Sequence, residues 1–173
     1  PAALLSTMYK ISFMNASRRT SSPVKIFQEV NKSISSIMTT HDYLTALIIV
    51  IEPGGKFRFS SAAHRPAFLY RKKSKKIEVL STKGLFIGML SYAGDTFEEK
   101  EGRIDVGDRI LLFTDGITES INNSGDMFDL NGLAKLLNDS GNNSVMGIKE
   151  KILNSLKQYK TEDDITFMIL KKL

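Results

Sequence analysis

The segment from Asp108 to Glu119 restricts the fold of this chain more than any other. Ile110 to Thr114 are all apolar or β-favouring, which predicts a strand buried on both faces. The strand runs directly into Asp115-Gly116, where the glycine lets the backbone turn without steric cost. A carboxylate at the mouth of a buried strand is held rigidly and still reaches water, as a metal ligand or acid/base group must. Asp115 equally suits the cap of a helix starting at Ile117, or a turn.

Near the C-terminus the order is reversed. Thr161-Glu162-Asp163-Asp164 comes first, and the apolar strand Ile165–Leu170 follows. If the two strands are antiparallel neighbours, the end of one and the start of the other share a sheet edge. Asp115 then faces Asp163 or Asp164. Carboxylates that close repel, so one is protonated or a cation lies between them. With oxygen ligands alone and no cysteine, that cation is hard and octahedral, Mg²⁺ or Mn²⁺. A solvated acidic turn is the plainer alternative.

Together these residues carry a resemblance. Val106-Gly107-Asp108 through Thr114-Asp115-Gly116-Ile117-Thr118-Glu119 resembles the Gly-Asp…Thr-Asp-Gly-x-x-Glu motif of the SpoIIE/RsbU-like branch of the metal-dependent (PPM) serine/threonine protein phosphatases. Asp163-Asp164-Ile165-Thr166 is similar to that family's closing Asp-Asp-x-Thr. Ser61-Ala62-Ala63-His64-Arg65-Pro66 is similar to its Ala-Gly-His-x-Pro loop, with Ala63 where glycine is usual. Gly84-Leu85-Phe86-Ile87-Gly88 matches the Gly-Leu-Pro-Leu-Gly-like loop less closely, because Phe86 replaces the proline.

The resemblance covers nearly the whole chain and implies an α+β fold, an α-β-β-α sandwich of two antiparallel sheets flanked by helix pairs. It places metal on Asp115 and Asp163, with Gly116 and Asp164 as further candidates, Asp164 also as a supporting structural residue. It implies two Mn²⁺ or Mg²⁺ ions in a complete domain and a phosphoserine or phosphothreonine protein as substrate, typically a STAS-type anti-anti-sigma factor. An upstream sensor domain and a cytoplasmic setting follow by the same resemblance, and a homodimer is admitted. The family's first metal motif, Gly-Asp-x-x-Gly-His-Gly, precedes the Pro-Ala at which this chain opens. The expectation is therefore a single domain over residues 1–173, truncated at its N-terminus and inactive as it stands. The alternative is a phosphatase-like domain that binds and regulates a partner without catalysis.

Composition excludes several other readings. The absence of cysteine removes disulfide staples and any cysteine-nucleophile phosphatase mechanism. No apolar run reaches the roughly 18 residues that span a bilayer. The formal charge of +5 comes from Arg71, Lys72, Lys73, Lys75 and Lys76, without which acids and bases balance at 19 each. Strands Ala67–Tyr70 and Ile77–Leu80 flank this cluster, so it reads as a solvated hairpin turn. With no interleaved aromatics to stack bases, neither nucleic acid nor membrane contact is expected.

The remaining pattern gives the elements. Pro1-Ala2 opens a helix whose apolar stripe is Leu4, Met8 and Ile11, with Leu5 beside them. Ser22 caps a second helix, with Pro23 at its first position and Ile26, Phe27, Val30, Ile34, Ile37 and Met38 on its apolar face. Tyr43–Ile51 reads as a buried central strand, and Phe57–Ser60 as an alternating one. Thr96–Lys100 is expected as a polar strand and Asp108 as a turn residue. Leu130, Leu133, Leu136 and Leu137 outline one helix. Ser144 caps another, which carries Ile148, Ile152, Leu153, Leu156 and Tyr159. His64 falls near the expected site rim, and His41 reads as surface.

Overall fold

Apolar residues at helical spacing near the start, period-two runs in the middle and a final buried strand give mixed secondary structure. A computed structural model describes residues 2–37 and 42–173. The readings made for Pro1, Met38 and His41 lie outside the described residues. Helix α1 covers Ala2–Ser17 and α2 covers Pro23–Ile34, followed by strands β1 (Ala46–Ile51), β2 (Lys56–Ala62), β3 (Ala67–Arg71) and β4 (Lys76–Leu80). A 3₁₀ turn at Ser91–Thr96 leads to β5 (Lys100–Arg103), β6 (Arg109–Phe113) and the one-turn helix α3 (Asp115–Thr118). The chain ends with β7 (Ile121–Asn122), α4 (Asp129–Ser140), α5 (Val145–Leu156), β8 (Tyr159–Lys160) and β9 (Phe167–Lys171).

These elements form two compact units, one from the chain up to His64 with Ser81–Arg103, the other from Arg65–Leu80 with Ile104–Leu173. The first unit holds an antiparallel three-stranded sheet in the order β1-β2-β5. Its helix α2 forms as its caps dictate: Ser22 Oγ accepts from the Lys25 amide at 3.4 Å, and Pro23 fills the first turn. Ile26, Phe27, Val30 and Ile34 then pack with Tyr9, Ala62, Ile87 and Phe97 into one core. Each such side chain, once buried, contributes about 1.5–3 kcal/mol.

Several expectations change here. The stripe Leu4, Met8, Ile11 is not the packed face of α1: Leu4 and Ile11 are 65% and 53% exposed. Tyr9 and Ala16 are buried instead, beside Leu5 and Phe13. Apolar residues lie all around this helix, so spacing alone could not choose the face. Ile37 is likewise exposed. The strand expected from Tyr43 begins at Ala46, stands at the sheet edge and is only half-buried, because β2 holds the centre. Alternation in β2 also breaks down, since Ser60 is buried and donates to the Glu98 carbonyl at 2.7 Å. The expected strand at Thr96–Lys100 is displaced to Lys100–Arg103 behind the 3₁₀ turn.

The second unit carries the antiparallel sheet β4-β3-β6-β9 and the small pair β7-β8. Helices α4 and α5 supply Leu133, Leu137, Ile148, Ile152 and Leu156 to a core shared with Phe68, Leu111 and Phe113. Ser144 caps α5 as expected, accepting from the Gly147 amide at 3.0 Å. Leu153 is exposed, and Tyr159 leaves the helix for β8, where its ring meets Phe128 edge-on. The basic hairpin Arg71–Lys76 joins β3 to β4 as expected. Among the described residues, no helix is long and apolar enough to cross a membrane.

Candidate metal centre

Strand β6 sits between β3 and β9 and is buried at four of its five positions, so its exit point is fixed. The β6–β9 register pairs Phe113 with Phe167, which brings the residue after one strand beside the residues before the other. Thr114 fastens the two segments together. Its amide donates to the Thr166 carbonyl at 3.0 Å, and its Oγ1 accepts from the Thr166 amide at 3.1 Å. The chain then turns at once into α3, with Asp115 in the first turn. Thr114 holds the N-cap position but makes no side-chain capping bond.

Gly116 is where the segments touch. A Cβ built there would lie 2.5 Å from the Asp164 carbonyl oxygen and 3.3 Å from that of Asp163. The glycine is therefore required for close approach of two backbones. Its own carbonyl faces into the turn and accepts from the buried Ser120 hydroxyl at 2.6 Å. Asp115, Asp163 and Asp164 are all exposed, and Asp163 Oδ1 accepts from the Asp164 amide at 2.7 Å.

Asp115 and Asp163 are oxygen donors of the kind a single hard cation takes, one from each of the touching segments. Two carboxylates are too few to neutralise a pair of such ions. Among the described residues, no three His, Cys, Asp or Glu side chains gather as a metal-binding group.

Other motif residues have structural partners. Asp108 is 3% exposed and accepts from Arg71 Nη1 at 2.9 Å, the Lys72 amide at 3.0 Å and the Asp105 amide at 3.1 Å. Burial pushes its acidity down, but the Asp105 amide, Arg71 and the Lys72 amide outweigh it and hold the carboxyl below its usual pKa. It anchors a turn, as expected. Arg71 also grips Glu78, and that bond, opposed by burial and aided by Asp108, keeps its guanidinium more firmly protonated. Glu119 is ion-paired with Arg65.

In the other unit, His64 Nδ1 lies 3.1 Å from Thr45 Oγ1, and Ala63 adopts a left-handed φ of +50°. That conformation explains why glycine suits the position. Phe86, in place of proline, packs on Tyr43 at 4.7 Å between ring centres. Sequence reasoning passed over a cleft beside Asp163, walled by Ile121 and Met127 and rimmed by Glu119 and Glu162. Only the apolar residues on either side of the polar turn hinted at it.

A family model described as stage II sporulation protein E (SpoIIE) matches residues 1–172. The chain belongs to the SpoIIE family. Among its relatives is the phosphoserine phosphatase RsbU of Bacillus subtilis (strain 168), 26% identical over 176 residues, covering 99% of this chain and 52% of that protein. The chain thus spans about half the length of this curated relative.

The SpoIIE fold also appears in solved structures. The SiaA-PP2C domain of Pseudomonas aeruginosa superposes with a TM-score of 0.83 at 18% identity, covering 99% of this chain and 69% of that one. A Mn-presoaked structure of the phosphatase domain of the cell fate determinant SpoIIE from Bacillus subtilis gives 0.60 at 18%, covering 99% and 71%. The α+β architecture with two antiparallel sheets and helices is that of these SpoIIE-type phosphatase domains.

Proposed function

We propose that this domain serves a metal-dependent phosphatase that removes phosphate from phosphoserine or phosphothreonine on a protein, a STAS-type anti-anti-sigma factor. One observation carries the proposal: Gly116 lies against the 163–164 backbone, so Asp115 and Asp163 issue from touching segments. Membership of the SpoIIE family supports it, as does the phosphoserine phosphatase among the relatives.

In this reading Asp115 and Asp163 hold Mn²⁺ or Mg²⁺, and Asp164 steadies Asp163 through its amide. A divalent ion bound there would supply Lewis acidity and lower the pKa of a bound water. Thr114 keeps both carboxylates on a rigid sheet edge, which limits the reorganisation needed at reaction. Water's oxygen bonds to phosphorus as the P–O bond to serine or threonine breaks, the departing side-chain oxygen takes a proton to become the hydroxyl, and inorganic phosphate is released. With no cysteine in the chain, no thiol phosphoenzyme intervenes.

Two carboxylates neutralise one ion but not a pair, so the 173 residues by themselves turn over poorly. By the family resemblance a further acid would belong to the Gly-Asp-x-x-Gly-His-Gly motif. The test is Mn²⁺-dependent phosphate release from a phosphoserine peptide by this chain and by one extended at its N-terminus. Release by the extended chain alone is expected. Robust turnover by the short chain overturns the need for a further acid, and silence of the extended chain overturns the hydrolase reading. The missing third carboxylate also favours a second reading, a regulatory domain that binds its partner without hydrolysis. An upstream sequence lacking the bridging aspartate would favour it.

A further inference from the structure

The cleft beside Asp163 has a volume of about 230 Å³ and is lined by Gly116, Glu119, Ile121, Met127, Glu162 and Asp163. That is below the roughly 300–1,000 Å³ of sites for drug-sized molecules, and suits a single side chain. Its walls are apolar yet open: Ile121 is 39% exposed and Met127 is 52% exposed.

The exposure is not fraying. Ile121 bridges to Met127 and pairs with Lys160 across β7 and β8. The intervening turn is fixed by the Asn122 amide, which donates to the Asp126 carbonyl at 2.9 Å. Asn122 Oδ1 further accepts from the Ser124 and Asp126 amides, each at 2.9 Å. Two large, partly exposed apolar side chains thus sit at the surface on a well-ordered turn.

The rim is acidic, and its two glutamates differ. Glu119 is neutralised by Arg65. Glu162 has no hydrogen-bond or ion-pair partner among the described residues. Asp163 faces the same cleft and is assigned above to the cation, so Glu162 is the charge left over.

Apolar walls under a lone carboxylate match a side chain with a hydrocarbon stem and a cationic head. We propose that the cleft receives a lysine or arginine of the phosphoprotein, close in sequence to the phosphorylated residue. This rests on the phosphatase reading for the nature of the substrate. The stem lies along Ile121 and Met127 while the head reaches Glu162, which fixes how the substrate segment approaches Asp163.

The test follows the methyl NMR signals of Ile121 and Met127 in the 173-residue chain. Three phosphoserine heptapeptides are compared, identical except for Arg, Leu or Glu two residues from the phosphoserine. The Arg peptide should shift both methyls and bind about fivefold tighter than the others, the scale of one exposed ion pair. Glu162→Lys should reverse the order in favour of the Glu peptide. Equal shifts from all three peptides, tighter binding of the Leu peptide, or an order unchanged by Glu162→Lys overturns the proposal. Mn²⁺-dependent hydrolysis of p-nitrophenyl phosphate by the extended chain tests the phosphatase reading alone, because that substrate has no flanking side chain. Turnover without peptide discrimination removes the cleft; discrimination without turnover removes the hydrolase.

Discussion

Replacing Gly116 with alanine probes the contact that brings the Asp115 and Asp163 segments together, on which the proposed metal site rests. Gly116 sits in the helical turn and outside the left-handed region, so the backbone itself accepts alanine. Helix propensity favours the change by up to about 1 kcal/mol. Against it stands a Cβ placed 2.5 Å from the Asp164 oxygen and 3.1 Å from the Asp164 carbonyl carbon. Ordinary contacts of this kind begin above about 3 Å, so the 163–164 segment must retreat by roughly half an ångström or more.

Over-packing at such a point costs about 1–3 kcal/mol, which outweighs the propensity gain and leaves a net loss of about 1–2 kcal/mol. In a chain of this size that lowers Tm by about 3–6 °C. The same retreat shifts the 163–164 segment relative to Asp115, so on the proposed metal reading Mn²⁺ binds more weakly. Calorimetric melting and isothermal titration with Mn²⁺ measure the two effects. Gly94→Ala is the control, since a Cβ there meets nothing nearer than 3.8 Å. A Gly116→Ala protein with the parent's Tm and Mn²⁺ affinity would refute the reasoning.

Asp163→Asn should weaken Mn²⁺ binding about tenfold or more while leaving Tm within a degree or so, because the side chain is exposed and one of two charged ligands is lost; titration and melting together check this. Asp108→Asn should cost about 3 kcal/mol at neutral pH in a urea melt, by uncoupling a buried carboxylate from Arg71. The Asp108 carboxyl is held below its unfolded pKa near 3.9, so its contribution is complete above that value and is lost as pH falls through the lower folded one. The parent should therefore lose stability on acidification below about pH 4 by a component that Asp108→Asn lacks. Ala63→Gly should raise Tm by about 2 °C, since release of a left-handed alanine at φ +50° exceeds the added chain entropy.

Some of this structure could be read in advance because the signals were local. Ser22-Pro23 and Ser144 set two helix starts through bonds to amides three residues away. The apolar run at Ile110–Thr114 had one solution, a strand covered on both sides, and Asp115-Gly116 marked its exit. Where several arrangements satisfied the same local pattern, the reading failed. Helix α1 has apolar residues on more than one face, and only packing against Phe27 and its neighbours selected Tyr9 and Phe13 over Leu4 and Ile11. A nearly all-apolar strand can lie at the centre or the edge of a sheet, and pairing with β2 alone put β1 at the edge.

The candidate site divides along the same line. Residue types and their order supplied the two acids, the glycine and the oxygen-only chemistry, because each is a property of a short segment. That Gly116 meets Asp164 is a contact across 48 positions of chain, created by the β6–β9 register. The cleft beside it is likewise tertiary: Ile121 and Met127 face one another through a bridge, and Glu162 arrives from beyond α5. Sequence by itself determined which groups could do chemistry and which elements would carry them. Only the folded chain decided which groups stand together, because strand pairing depends on distant partners that no local pattern encodes.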